Sequence, residues 1–230
     1  MIQVDDLDKK IALWNGFCEE HGVAEKGVPL FKCDGLRVEI ISYGRNNRFI
    51  LRRSEEMEAL VINEVEKVLL DFKEGGNFYE GLIYMMFWKE NKKVVPLYIG
   101  KSEKYGRKRG NLSENIRNIR VNRGKFCRWG YNYAYHIGDL SAIVCEGHAE
   151  ESKTAKYQKW GVRLFQNAPS SEPMLKKPTY FWISAWRHGN VGPWREVGPS
   201  SLTFLEYLLI GLASDAFPGI LLNEEGVNRT

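Results

Sequence analysis

A chain of 230 residues with 43% hydrophobic and 13% aromatic residues can bury a sizeable core, so disorder is not its expected state. The net charge of +4 is ordinary, and only the distribution of that charge indicates a partner. The four cysteines are scattered, without a Cys-x-x-Cys pair, which argues against a structural zinc site and a disulfide framework and indicates reduced thiols.

Neither end of the sequence carries a membrane or export signal. Residues 1–10 are acidic and polar, unlike the start of a secretory signal peptide. The most apolar stretch, residues 205–222, is interrupted by Glu206, Asp215 and Pro218, which makes it too broken to span a bilayer. A cytoplasmic protein without a membrane partner is therefore expected.

The N-terminal third reads as an α/β segment. Apolar residues at helical spacing predict a helix over residues 6–21, and partial alternation over residues 36–43, a turn at 44–47 and a return strand at 48–51 predict a hairpin. Ser54 begins a second predicted helix, which ends at Gly75-Gly76. We place a boundary at residues 75–79, dividing the chain into an extension, residues 1–77, with target recognition as one role to consider, and a core, residues 78–230.

The core begins with a predicted β-hairpin. Apolar runs at residues 82–88 and 94–99 flank a polar turn at 89–93. Beyond it the patterns predict a helix from Ser113 to about Arg120, a strand at 140–145, a helix over about 148–160, a buried aromatic strand at 179–186, a loop at 189–200 and an apolar helix at 202–213. The predicted fold class is α/β, with a small central antiparallel sheet flanked by helices.

Most of the positive charge lies in one window, residues 101–130. Glu103 and Glu114 are the only acidic residues there, so the window carries +8 and the rest of the chain sums to −4. A local basic block is typical of a face that binds a polyphosphate, and a solvated basic loop is the alternative. The basic residues are Lys101, Lys104, Arg107, Lys108, Arg109, Arg117, Arg120, Arg123, Lys125 and Arg128.

Two tyrosines lie at comparable positions on the predicted hairpin. Its first strand contains Gly81-Leu82-Ile83-Tyr84 and its second contains Tyr98-Ile99-Gly100-Lys101. If both phenols face the same side of the sheet, they meet over one surface; core aromatics of an ordinary hairpin are the alternative. The last helix carries one acidic residue, Glu206, among apolar neighbours, and a buried carboxylate would need a partner such as a metal.

In order and approximate spacing, these motifs resemble the GIY-YIG nuclease superfamily over residues 81–223. Tyr98-Ile99-Gly100 matches the second family motif in full. The first motif matches in part, because two residues separate Gly81 from Tyr84, so either Gly81 is displaced by one or Leu82 takes the glycine position. Glu206, Pro218 and Asn223 resemble the family's metal-binding helix and its C-terminal asparagine.

The resemblance implies a metal-dependent DNA endonuclease that hydrolyses phosphodiester bonds with Mg²⁺ or Mn²⁺, and some restriction enzymes of the superfamily are compact chains of this kind. It implies that Glu206 holds the metal, that Tyr84 is the base and that Tyr98 positions phosphate or water. Because the ordinary tyrosine pKa is about 10, such a base needs a nearby cation, and Lys101 is the candidate.

The remaining roles are less tightly specified. A catalytic arginine is expected after the second motif, with Arg107 favoured over Arg117, and Arg109 as a third candidate; His136 is held in reserve. Contacts to nucleic acid are expected from Lys104, Lys108, Arg109, Arg120, Arg123, Lys125 and Asn223. An inactive nucleic-acid-binding module of the same fold is the alternative function, and a protein-interaction domain a third. One active site per chain favours a homodimer or sequential nicking of DNA.

Overall fold

The computed structural model describes residues 4–43, 47–91, 93–106, 110–117 and 136–227, and it confirms the α/β class. The helices are α1 (Val4–Glu20), α2 (Val23–Lys26), α3 (Glu55–Lys73), α4 (Glu114–Arg117), α5 (Ile137–Val144), α6 (Ala155–Leu164) and α7 (Leu202–Ala216). The strands are β1 (Val28–Pro29), β2 (Cys33–Asp34), β3 (Arg37–Val38), β4 (Ile40–Tyr43), β5 (Arg48–Leu51), β6 (Tyr79–Glu90), β7 (Lys93–Glu103) and β8 (Tyr180–Arg187).

The chain divides into two compact units, each built from separate stretches of sequence. Unit 1 contains residues 1–28, 63–113 and 180–230, and unit 2 contains residues 29–62 and 114–179. The boundary predicted at residues 75–79 lies inside unit 1, because β6, which follows it, pairs with β8 from the far end of the chain. Gly75 and Gly76 therefore mark a turn within one unit.

Unit 1 is organised around a sheet with the strand order β1-β8-β6-β7. The predicted hairpin is confirmed, since β6 runs antiparallel to β7, with Tyr84 opposite Gly100 and Met86 opposite Tyr98. A core of buried side chains from α1, α7 and the sheet includes Ile83 and Ile99. Because side chains alternate along a strand, Tyr84 and Tyr98 face away from that core.

The outer edge of β7 is covered by side chains and by the C-terminal segment. Leu222 donates its N–H to the Leu97 carbonyl at 2.7 Å, and the Asn223 carboxamide both accepts from and donates to the Ile99 backbone, at 3.0 and 2.8 Å. The Lys101 N–H is hydrogen-bonded to the Glu206 carboxylate. An uncovered edge strand is a template for pairing with other chains, and these contacts remove it.

The β8 strand is capped in a similar way. Glu64 on α3 accepts the Ala185 N–H at 2.8 Å, on the side of β8 that faces away from β6. Its second carboxylate oxygen pairs with Lys67, one turn along the same helix. Two helix carboxylates, Glu64 and Glu206, thus satisfy backbone donors on β8 and β7.

Unit 2 contains the antiparallel pairs β2–β3 and β4–β5, and α5 packs on β5. The strand predicted at residues 140–145 is wrong, since Cys145 is a C-cap and residues 140–144 belong to α5. Its side chains are buried on nearly every side, so the helical period is invisible in the sequence, and Ser141 hydrogen-bonds both Ile137 and Leu51.

Two predicted helices have different limits in the structure. The one expected at residues 148–160 is a 3₁₀ turn at Glu150–Ser152 followed by α6, and extended Thr154 stands between them. The helix from Ser113 is observed as α4, and its expected continuation to Arg120 lies outside the described residues. Among the residues that the structure describes, none of the helices is long and apolar enough to span a membrane.

Candidate active site

The two tyrosines of the hairpin motifs meet on one surface of unit 1. Their ring centroids are 6.1 Å apart, and the Tyr84 side chain hydrogen-bonds to Tyr98. Tyr84 also stacks on Phe181 of β8, with ring centroids 5.8 Å apart, and is only 2% exposed, whereas Tyr98 is partly exposed. Tyr98 is therefore the more accessible of the two tyrosines, and the buried Tyr84 is hydrogen-bonded to it.

The glycine of the second motif has a steric role. A Cβ atom added at Gly100 would lie 2.4 Å from the Tyr84 hydroxyl oxygen, much closer than non-bonded atoms can approach. The Tyr84 side chain can lie over β7 at Gly100 only because this residue has no side chain. In the first motif, the register shift between β6 and β8 comes before Gly81, and the pairing is regular from Gly81 to Tyr84.

The environment of Tyr98 keeps its phenol protonated. Burial raises the pKa of Tyr98 to about 12, the hydrogen bond from Tyr84 lowers it, and the charges of Glu206 and Glu225 raise it further. Lys101 was predicted to be the cation that lowers a tyrosine pKa. It does not act in this way on Tyr98, because its ammonium pairs with Glu103 instead. At neutral pH Tyr98 can donate a hydrogen bond but cannot act as a base.

Glu206 reaches the same edge of the sheet from α7. Burial raises its pKa, the charge and backbone N–H of Lys101 lower it, and the charges of Glu103 and Glu225 raise it, with a net increase. Glu206 forms no ion pair with any residue that the structure describes. Glu206 is thus a half-buried carboxylate with surplus negative charge at the β7 edge, and its charge acts on Tyr98.

A divalent cation fits this carboxylate. Mg²⁺ keeps several of its water ligands and is usually bound through one or two carboxylates together with phosphate oxygens of a substrate, so Glu206 is a residue that could hold it. Within residues 4–43, 47–91, 93–106, 110–117 and 136–227, no cluster of three or more His, Cys, Asp and Glu residues could hold a metal. A zinc-type site with several protein ligands is therefore not formed by the described part of the chain.

Lys104 does not have the nucleic-acid-binding role predicted for it. Its side chain is fully buried, and its ammonium donates to the Asp71 carboxylate at 2.7 Å and to the Gly76 carbonyl at 2.9 Å. A phosphate cannot reach a cation enclosed in this way. The basic window led to the prediction, but charge counting along a sequence does not distinguish a buried lysine from a surface lysine.

Asn223 is engaged in a structural contact rather than presented to a ligand, because both ends of its carboxamide bind Ile99. Arg117 ends α4 in unit 2, where His136 is also found, partly buried and with its Nδ1 atom 2.5 Å from the Tyr157 hydroxyl. The other predicted basic residues, Arg107, Lys108, Arg109, Arg120, Arg123 and Lys125, lie outside the described residues. The identity of the catalytic arginine stays a prediction.

Several residues of the site have no clear sequence signal. Phe181 could be found only through its place in the aromatic strand, and Glu103 through its spacing of two from Lys101, which puts both on one side of a strand. Thr203 donates to Glu103 at 3.3 Å across elements that are distant in sequence. Comparisons with protein-family models, curated proteins and solved structures found no match to this chain.

Proposed function

We propose that this chain is a metal-dependent DNA endonuclease of the GIY-YIG type, which hydrolyses phosphodiester bonds at the surface formed by Tyr84, Tyr98 and Glu206. The observation that carries the proposal is the meeting of the two motif tyrosines, with the Glu206 carboxylate of α7 at the adjacent strand edge. Tyr84 and Glu206 are 122 positions apart in the sequence, so it is the fold and not the local sequence that brings the Glu206 charge to bear on Tyr98.

Glu206 would hold the cation. Its surplus negative charge supports this assignment, because a divalent ion would compensate the repulsion from Glu103 and Glu225. When bound, Mg²⁺ or Mn²⁺ supplies positive charge to the phosphate and lowers the pKa of a coordinated water. The Lys101 N–H holds the carboxylate in place at the edge of β7.

Tyr98 would donate a hydrogen bond to a phosphate oxygen or to the attacking water. Its raised pKa keeps the donor hydrogen in place throughout the neutral range. Tyr84 fixes the orientation of Tyr98 through the hydrogen bond between the phenols, and its burial beneath Phe181 favours a positioning role over the role of base. The proton of the attacking water must then be taken up by another group or by solvent.

A supercoiled-plasmid nicking assay tests the proposal. With Mg²⁺ or Mn²⁺ the protein should convert supercoiled DNA to nicked and linear forms, and EDTA should stop the reaction. Glu206→Ala should abolish cutting and Tyr84→Phe should sharply reduce it. Robust cutting by the Glu206→Ala variant would refute the metal-binding role of this residue.

A second candidate function is a nucleic-acid-binding module without catalysis. The observation that favours it is the likeness between Glu206 and Glu64, since each carboxylate accepts a backbone N–H at a strand edge. Binding of DNA without nicking, tested across several metals and substrates, would select this alternative. Such binding should weaken steeply with added salt, because contacts to phosphates release counterions.

A further inference from the structure

A pocket of about 690 Å³ opens beside the end of β7, within unit 1. Its walls include the aromatic rings of Phe72 and Tyr105 and the carboxylate of Glu103. Glycines at positions 75, 76, 106 and 110 form the rest of the described lining. Because glycine has no side chain, backbone is exposed around these aromatic rings and a flat group can approach them closely.

A fully buried ion pair holds the pocket in shape. The Lys104 ammonium, which pairs with Asp71 and the Gly76 carbonyl, also lies 5.3 Å from the centre of the Tyr105 ring. Asp71 accepts the backbone N–H groups of Phe78 and Tyr79, at 3.2 and 3.0 Å, and so fixes the turn that follows α3. A buried ion pair contributes little net stability, which is consistent with a role in fixing the geometry of this wall.

The described lining of the pocket favours an aromatic, uncharged group with hydrogen-bond donors. The Phe72 and Tyr105 rings are arranged edge to face with centroids 6.1 Å apart, and Tyr105 remains 39% exposed. An exposed aromatic ring offers a stacking surface to any nucleobase. The Glu103 carboxylate would repel a phosphate but can accept hydrogens from the exocyclic amino group of a base.

The pocket adjoins the candidate active site. Glu103 lines the pocket, and its carboxylate pairs with Lys101, whose backbone N–H holds Glu206. We propose that the pocket receives one unpaired nucleobase of the DNA substrate next to the bond that is cut, an inference that rests on the proposed function. The protein would then select DNA by structure, favouring sites where a base is bulged or unpaired.

Fluorescence titration of DNA duplexes that contain 2-aminopurine tests this inference. The full-length protein is titrated in EDTA, so that no cutting is needed, into one duplex with a single bulged 2-aminopurine and another in which it is paired. The bulged duplex should bind more tightly by about fivefold or more, in line with the contribution of one stacked base, and its fluorescence should be quenched.

Variants of the pocket provide the controls. Tyr105→Ala should remove the preference for the bulged duplex and Tyr105→Phe should keep it. Gly106→Leu should also remove the preference by filling the pocket, because a Cβ there makes only ordinary contacts, the nearest at 3.7 Å. Trp194→Ala, which removes an exposed aromatic ring outside the pocket lining, should have no effect.

The outcomes separate this inference from the proposed nuclease activity. Equal affinity for the two duplexes, with plasmid nicking intact, would overturn the base pocket alone. Retention of the preference by both Tyr105→Ala and Gly106→Leu would also overturn it. Failure to bind either duplex would overturn both the pocket and the choice of DNA as substrate.

Discussion

Gly100 and Tyr84 show how one missing side chain permits a functional contact. An added methyl group would displace the Tyr84 ring from Tyr98. Gly100→Ala should therefore lower the free energy of unfolding by about 1–3 kcal/mol, as overpacking does, and should reduce plasmid nicking. Gly16→Ala in α1 is the matched control, because nothing lies within 4 Å of its added Cβ; it should be neutral or stabilising in urea unfolding.

The Lys104–Asp71 pair allows a second residue-level prediction. Lys104→Met removes a fully buried ammonium and leaves the Asp71 carboxylate without its counterion. The free energy of unfolding, measured with urea, should fall by about 3–5 kcal/mol. Arg195→Met is the control: its partner Glu20 and Arg195 itself are largely exposed, so the change should be below about 1 kcal/mol. Equal effects of the two substitutions would contradict the buried pair.

Glu206 should be destabilising when it is ionised and no metal is bound. Its pKa is raised in the folded state, so its favourable contribution is complete below the ordinary glutamate pKa of about 4.3 and is lost as pH rises through the raised value. In EDTA at pH 7, Glu206→Gln should therefore melt at a higher temperature than the wild type, and the difference should shrink near pH 4. A lower melting temperature at pH 7 would mean that the carboxylate acts chiefly as an edge cap.

At the scale of elements, the C-terminal segment acts as a cover for β7. The Ile99 N–H donates to the Asn223 side chain on this edge, so its protection from solvent depends on that residue. In Asn223→Ala, hydrogen exchange at the Ile99 amide should accelerate at least about fivefold, as loss of a bond worth about 1 kcal/mol or more requires. The control is the Met85 amide in the central strand β6, which exchanges only when the whole unit opens. Equal acceleration at the Ile99 and Met85 amides would contradict a local protection of β7 by Asn223.

The elements predicted best from the sequence are those in which the pattern of apolar and polar residues follows the pattern of buried and exposed side chains. The hairpin and α7 were located because their apolar runs are long and their turn residues are distinct. The helix α5 was mistaken for a strand because its short, almost wholly buried sequence has no polar face. The contact of Asn223 with Ile99 could not be predicted, since it joins residues 124 apart that share no periodic pattern.

At the scale of the molecule, the two units cannot be recognised from the sequence, because each is built from stretches that are not consecutive. Tyr84, Tyr98, Glu206 and the pocket all belong to unit 1, although residues 114–179 of unit 2 intervene in the sequence. A division at Gly75-Gly76 was predicted because glycines commonly end helices and mark boundaries. Only long-range strand pairing reveals that this turn joins α3 to the central sheet of the same unit.

The proximity of the two motif tyrosines could be predicted for a physical reason. Motif residues on paired strands must approach each other, so the meeting of Tyr84 and Tyr98 follows once the hairpin forms. The direction of a pKa shift depends on burial and on charges from other elements, which is why Lys101 was assigned to the phenol when it pairs with Glu103.

The most direct test of the proposed activity compares Glu206→Gln with Glu64→Gln in the plasmid nicking assay with Mg²⁺. Both substitutions retain an oxygen that can accept the backbone N–H at a strand edge, and both remove a negative charge. The wild type and Glu64→Gln should nick the plasmid at similar rates, and Glu206→Gln should not. Undiminished nicking by Glu206→Gln, or absence of nicking by the wild type, would contradict the assignment of this site.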